Sequence, residues 1–128
     1  MASSMSNVNE GELMEWANTT DYTGPIGITV KFPVKESEIS SFQSIYQKNH
    51  DIATAKEGCK TFKINEDFKR QSCYWLVEEW ESIAAWKPYL LSDERYANAE
   101  AMKSMMEEPP HLAVYKTASW VGMEHYSL

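Results

Sequence analysis

Ser72, Cys73, Tyr74, Trp75, Leu76, Val77, Glu78, Glu79 and Trp80 form a run rich in β-forming side chains. Ile83, Trp86 and Leu90 follow at helical spacing, so the period switches from two to about 3.6 near Glu81. Along the strand, Cys73, Trp75 and Val77 share one face, while Tyr74, Leu76 and Trp80 share the other. Neither face is polar enough to meet water comfortably. At ~25 cal/mol per Å² of apolar area, leaving one of them wet forfeits several kcal/mol. The sheet that holds this strand therefore needs cover on both sides.

Working back from that strand, Phe62 and Ile64 alternate with Thr61 and Lys63 in a short strand that stops at Asn65, Glu66 and Asp67. A polar loop joins the two strands, which predicts an antiparallel hairpin. Earlier still, Ile39, Phe42, Ile45, Tyr46 and Ala53 predict an amphipathic helix from Glu36 to about Lys56. Glu36 and Glu38 suit its dipole, and Gly58 suits its left-handed stop. A turn at Thr23, Gly24 and Pro25 precedes a strand whose apolar side is Ile26, Ile28, Val30, Phe32 and Val34. Pro33 has no N–H, so it belongs near the end of that strand or on an edge.

Toward the C-terminus, Ser92 is placed to cap a second helical segment containing Tyr96, Ala99, Met102 and Met106. Pro109 and Pro110 stop it. Leu112 and Val114 then alternate with His111, Ala113 and Tyr115 in a fourth strand. The order βαββαβ predicts an α+β, ferredoxin-like sandwich with both helical layers on one face of a four-stranded antiparallel sheet. A second copy laid on the other face answers the burial problem, so a homodimer through the sheet face is expected. Residues 25–118 form the domain. Residues 1–24 are an extension, partly disordered, in which Glu12 to Ala17 can make an apolar-sided helical turn, and residues 119–128 are an aromatic tail.

Composition narrows the function classes. The chain has 128 residues, room for one domain. Its net charge of −7 excludes the usual basic footprint for nucleic acid and disfavours anionic lipid. No apolar run approaches the ~20 residues of a membrane helix. The first thirty residues carry no Lys or Arg, so neither a secretory signal nor a transit peptide is expected, and the default compartment is the cytoplasm. Cys59 and Cys73 lack the spacing of a zinc site and do not cluster with His50, His111 or His125, so no metal is expected. Five Trp, seven Tyr and four Phe suit either a well-filled core or a pocket for a flat ligand.

Glu57, Gly58 and Cys59 opening strand two, Glu78 and Trp80 closing strand three, Ala85 in the next helix and Ser92 at the break form a combination that resembles the antibiotic biosynthesis monooxygenase domain of the dimeric α+β barrel superfamily. The resemblance spans about residues 26–117. It implies sheet-to-sheet dimerisation and a hydrophobic pocket between sheet and helices that takes a small aromatic ligand. It also implies cofactor-independent oxidation of a quinol, phenol or anthrone by O2, in which the deprotonated substrate is its own reductant. Many relatives carry histidines where this chain has Tyr89 and Glu94. A related haem-degrading branch places its iron-binding His at Ala99, and alanine cannot ligate iron. Two other readings remain: a ligand-binding or stress-response protein without turnover, and a base-catalysed isomerase or lyase.

Candidate proton-moving groups are Tyr89, Glu94 and His111. Trp80 and Trp86 are the candidates to enclose a ring, and Arg95 to hold an anionic phenolate. Each also has an ordinary reading: Trp80 and Trp86 as packing anchors, Arg95 as a surface ion and His111 as a structural hydrogen-bonding group. Glu78 shares the face of Leu76 and Trp80, so if buried it needs a partner, which suits a structural part better than a catalytic one.

Overall fold

The computed structural model describes residues 10–117. The expected disordered opening at residues 1–7 and the aromatic tail at 119–128 lie outside them.

Helix α1 (Glu10–Thr19) precedes strand β1 (Ile26–Pro33). A 3₁₀ turn at Glu36–Glu38 then leads into α2 (Ile39–Thr54). Strands β2 (Cys59–Glu66) and β3 (Cys73–Trp80) follow, then α3 (Ile83–Leu90), α4 (Asp93–Met102), a 3₁₀ turn at Lys103–Met105, and β4 (His111–Lys116). The sheet runs β2-β3-β1-β4 with every neighbour antiparallel, as a βαββαβ order requires.

Register explains which side each residue serves. Ile28 lies opposite Glu78 on one flank and Val114 on the other, and Val30 lies between Leu76 and Leu112. These side chains face the helices, together with Ile26, Phe32, Tyr74 and Trp80. The opposite face carries Thr29, Lys31, Trp75, Val77, Ala113 and Tyr115. Pro33 closes β1, where a missing N–H costs the ladder little.

Helix boundaries follow local chemistry. The Ser82 hydroxyl accepts the Ala85 N–H at 3.1 Å, and the Ser92 hydroxyl accepts the Arg95 N–H at 3.2 Å, so each short helix starts on a side-chain cap. The α2 segment begins with a 3₁₀ turn rather than a full α turn at Glu36, and it ends two residues short of Lys56. Gly58 sits at φ +92° and carries the chain into β2. A Cβ built on it would lie 2.5 Å from that of Ala85. Gly58 and Ala85 are thus in contact: α3 approaches the start of β2 closely because both residues are small.

An aromatic cluster ties α2 to the sheet. Phe42 stacks on Tyr46 and on Tyr74 at 5.4 and 5.1 Å between centroids, and Tyr46 stacks on Phe62 at 5.7 Å. Such ring pairs contribute about 0.5–1.5 kcal/mol each beyond their buried area. Helix α1 adds Leu13 and Ala17 to the same core.

Candidate functional site

The helices do not seal the sheet completely. Between them lies a cavity of about 730 Å³, within the range that suits a small organic ligand. Ile28, Val30, Leu76 and Glu78 form its floor from the sheet. Tyr46 and Asn49 line it from α2, Trp86, Tyr89 and Leu90 from α3, and Arg95, Ala99 and Met102 from α4. Leu13 closes part of it from α1, and Glu107 to Pro110 stand among its remaining lining residues.

The strand's alternation puts Glu78 in this cavity. It is 5% exposed, and its carboxylate accepts the Trp80 indole N–H at 2.8 Å. Residues two apart on a strand share a face, so Trp80 reaches its partner without leaving the core. Burial pushes the Glu78 carboxyl up to about 7, against the opposing pull of the indole N–H and the Arg95 guanidinium. A group poised there exchanges protons at neutral pH, as a general base must.

Tyr46 and Tyr89 surround the same charge. Burial holds the Tyr46 phenol well above the ordinary tyrosine range; Tyr89 and Glu78 push it further up, while Arg95 pulls it down. Tyr89 stacks on Trp80 at 5.7 Å and meets Phe62 edge-on. The Arg95 guanidinium lies 5.9 Å from the Tyr89 ring centre, and its Nε donates to the Leu90 carbonyl at 3.0 Å. A cation fixed by both contacts places positive potential at the cavity wall. On α2, the Asn49 side chain is 3% exposed, and its Oδ1 accepts the Asn98 Nδ2 at 2.8 Å.

Of the residues singled out from the sequence, Tyr89, Trp86 and Arg95 come together at the cavity. Trp80 is fully buried behind Tyr89, where it orients Glu78 rather than walling the hollow. Glu94 is exposed in the first turn of α4, and His111 is exposed at the start of β4, opposite Lys31 on the outer face of the sheet. Neither lines the cavity. Ala99 does, and its methyl offers no ligand to a metal. Among the described residues, no group of three or more His, Cys, Asp or Glu is placed to hold a metal ion.

The buried polar residues of the cavity, Glu78, Tyr46 and Asn49, were not among the sequence candidates. Alternation had put Glu78 on the right face; what it could not supply was the open space beside the carboxyl. Asn49 had a detectable signal too, as the one amide in the buried α2 stripe Phe42, Tyr46, Asn49 and Ala53.

Residues 25–117 match the family model for antibiotic biosynthesis monooxygenase. The chain belongs to the antibiotic biosynthesis monooxygenase family. Solved structures with the same fold include a Caulobacter crescentus protein that carries this family's name, with a TM-score of 0.71 and 19% identity over 77% of this chain and 93% of the other. A Nitrosomonas europaea protein of the same designation superposes with a TM-score of 0.68 and 16% identity, over 80% and 99% of the two chains. A mutant of SnoaB, a cofactor-independent oxygenase from Streptomyces nogalater, superposes with a TM-score of 0.66 and 13% identity, over 77% and 96%. No curated protein matches the chain in sequence. Family membership covers the sheet, α2, α3 and α4, whereas α1 precedes the matched segment. No helix among the described residues is long and apolar enough to cross a membrane.

Proposed function

We propose that this family member is a cytosolic, cofactor-independent monooxygenase acting on a planar quinol, phenol or anthrone, with Glu78 as the base. The observation that carries the reading is a buried carboxylate, poised to titrate near neutrality, in an apolar cavity large enough for a fused aromatic ring system. Glu78 takes a proton from the substrate, and Arg95 offsets the negative charge that develops on the ring. The anion passes one electron to O2, giving a substrate radical and superoxide. Their recombination forms a carbon–oxygen bond and, with a proton, a hydroperoxide. Loss of water then leaves a new carbonyl, so one oxygen atom enters the product and the other leaves as water. The substrate supplies every electron. Trp86 and Tyr89 enclose the ring, and exclusion of water limits side reactions of the radical pair.

We propose further that two copies clasp through the outer face of the sheet. Trp75 and Tyr115 are 36% and 46% exposed there, and Val77 is half-buried between Thr29 and Lys63. An oxygen electrode with a panel of quinols, phenols and anthrones tests the catalytic reading. Oxygen uptake above the spontaneous rate, rising with pH through about 7 as Glu78 ionises, is the expected result. Uptake at the spontaneous rate across the whole panel refutes it. A base-catalysed isomerisation would use the same carboxylate and leave the oxygen unspent, so this measurement separates the two chemistries.

A further inference from the structure

Tyr46 and Asn49 lie three residues apart on α2, close to one helical turn, and both line the cavity. Both are buried, at 5% and 3% exposure. The Asn49 carbonyl oxygen is occupied by Asn98, which fixes the orientation of the amide and leaves its NH₂ as the available end. Among the described residues, nothing accepts a hydrogen bond from that NH₂ or from the Tyr46 hydroxyl. Buried donors are nearly always satisfied, and leaving two of them bare in one cavity costs free energy that a ligand atom recovers. The Tyr46 phenol keeps its proton throughout the working pH range, because burial beside Glu78 opposes its ionisation.

We infer that Tyr46 and Asn49 form a two-donor cradle for an acceptor oxygen of the ligand, a ring carbonyl, so that the protein selects hydroxylated aromatic ketones over aromatics bearing hydroxyl groups alone. The inference rests on the proposed aromatic-binding role of the cavity and adds a requirement to it. Glu78 takes the hydroxyl proton, while α2 supplies two N–H or O–H donors, so the complementary ligand carries one donor and one donor-free oxygen. Asn98 acts as a positioning residue: it turns the Asn49 amide without touching the ligand.

The test uses the full-length protein and two ring-matched probes. One is 1-hydroxyanthraquinone, with a hydroxyl and carbonyls; the other is 1-hydroxyanthracene, with the hydroxyl alone. Binding is followed by quenching of tryptophan fluorescence, to which Trp86 in the cavity wall contributes. Tyr46→Phe keeps the ring and removes only the hydroxyl. Asn49→Leu and Asn98→Leu each break the same bond between α2 and α4, but only the first removes the donors that face the cavity. The expected result is a loss of about tenfold in affinity for the ketone in both Tyr46→Phe and Asn49→Leu, with the carbonyl-free probe changed less than about threefold. Asn98→Leu is expected to weaken the ketone less than Asn49→Leu does. If both probes bind and the variants weaken them equally or not at all, the cradle is overturned while the aromatic-binding reading stands. Binding of neither probe to the unmodified protein overturns both.

Discussion

The two faces of this sheet are built from the same four strands, yet they handle polar groups in opposite ways. On the helix side, Ile26, Ile28, Val30, Leu76 and Trp80 are buried, and Glu78 in their midst has its carboxyl displaced to about 7. On the outer side, polar groups are spread over a half-exposed surface and matched locally. The Trp75 indole donates to Asp67 at 2.8 Å, Lys31 sits over the Trp75 ring, and the Thr29 and Tyr115 hydroxyls lie 3.1 Å apart. On a single protomer water competes for each of those contacts, so none is costly to break. Behind the helices water is largely excluded, and Glu78 is left with the Trp80 indole N–H and the Arg95 charge, which do not offset its burial.

Glu78→Gln attacks the contrast most directly and carries the largest expected effect. Oxygen-dependent turnover should fall at least ~100-fold, and its rise with pH through about 7 should vanish. Stability should move the other way. In the native protein the folded carboxyl holds its proton up to about 7, whereas the ordinary value is 4.5, so Glu78 favours folding fully only below 4.5. That contribution is lost as pH rises through about 7. The variant has no such loss, so at pH 8 it should exceed the parent by on the order of 3 kcal/mol in urea unfolding. A parallel fall of stability with pH in both proteins would show that this carboxylate is not special.

Gly58→Ala comes next. The substitution forces a side chain into a positive-φ position and against Ala85, on which the seating of α3 depends. A loss of about 2 kcal/mol is expected, read as a lowered Tm. On the outer face, Val77→Glu should weaken the proposed dimer by at least ~10-fold in sedimentation equilibrium, because like charges would meet across the interface. Ligand binding per protomer should change far less, since Val77 points away from the cavity. Equal damage to both properties would erase the division between the faces. Smallest are Ser82→Ala and Ser92→Ala, each expected to cost about 1 kcal/mol through a lost helix cap.

Most of the fold was readable because it rests on short-range periodicity. Alternation at residues 26–34 and 73–80 and the cap at Ser92 are local signals, and each corresponds to an observed element, whereas Gly58 serves the turn into β2 and α2 already stops at Thr54. The site was readable only in part. Tyr89, Trp86 and Arg95 line the cavity, yet Glu94 and His111 stand outside it, because proximity across α4 and β4 is a tertiary property that spacing does not encode. His111 illustrates the point: strand alternation sets it on the opposite side from Leu112, and Leu112 lines the cavity. Glu78 was assigned to the right face, but its proton affinity depends on the combined burial by the helices, which no stretch of the chain carries by itself.

One wall of the cavity comes from Leu13, on a helix that precedes the segment shared with the family. The contour of the hollow on that flank is therefore set by a helix that owes nothing to strand register. Evolution, or an engineer, can recut that helix to widen or narrow the hollow while leaving Ile28, Val30, Leu76 and Glu78 on the sheet untouched.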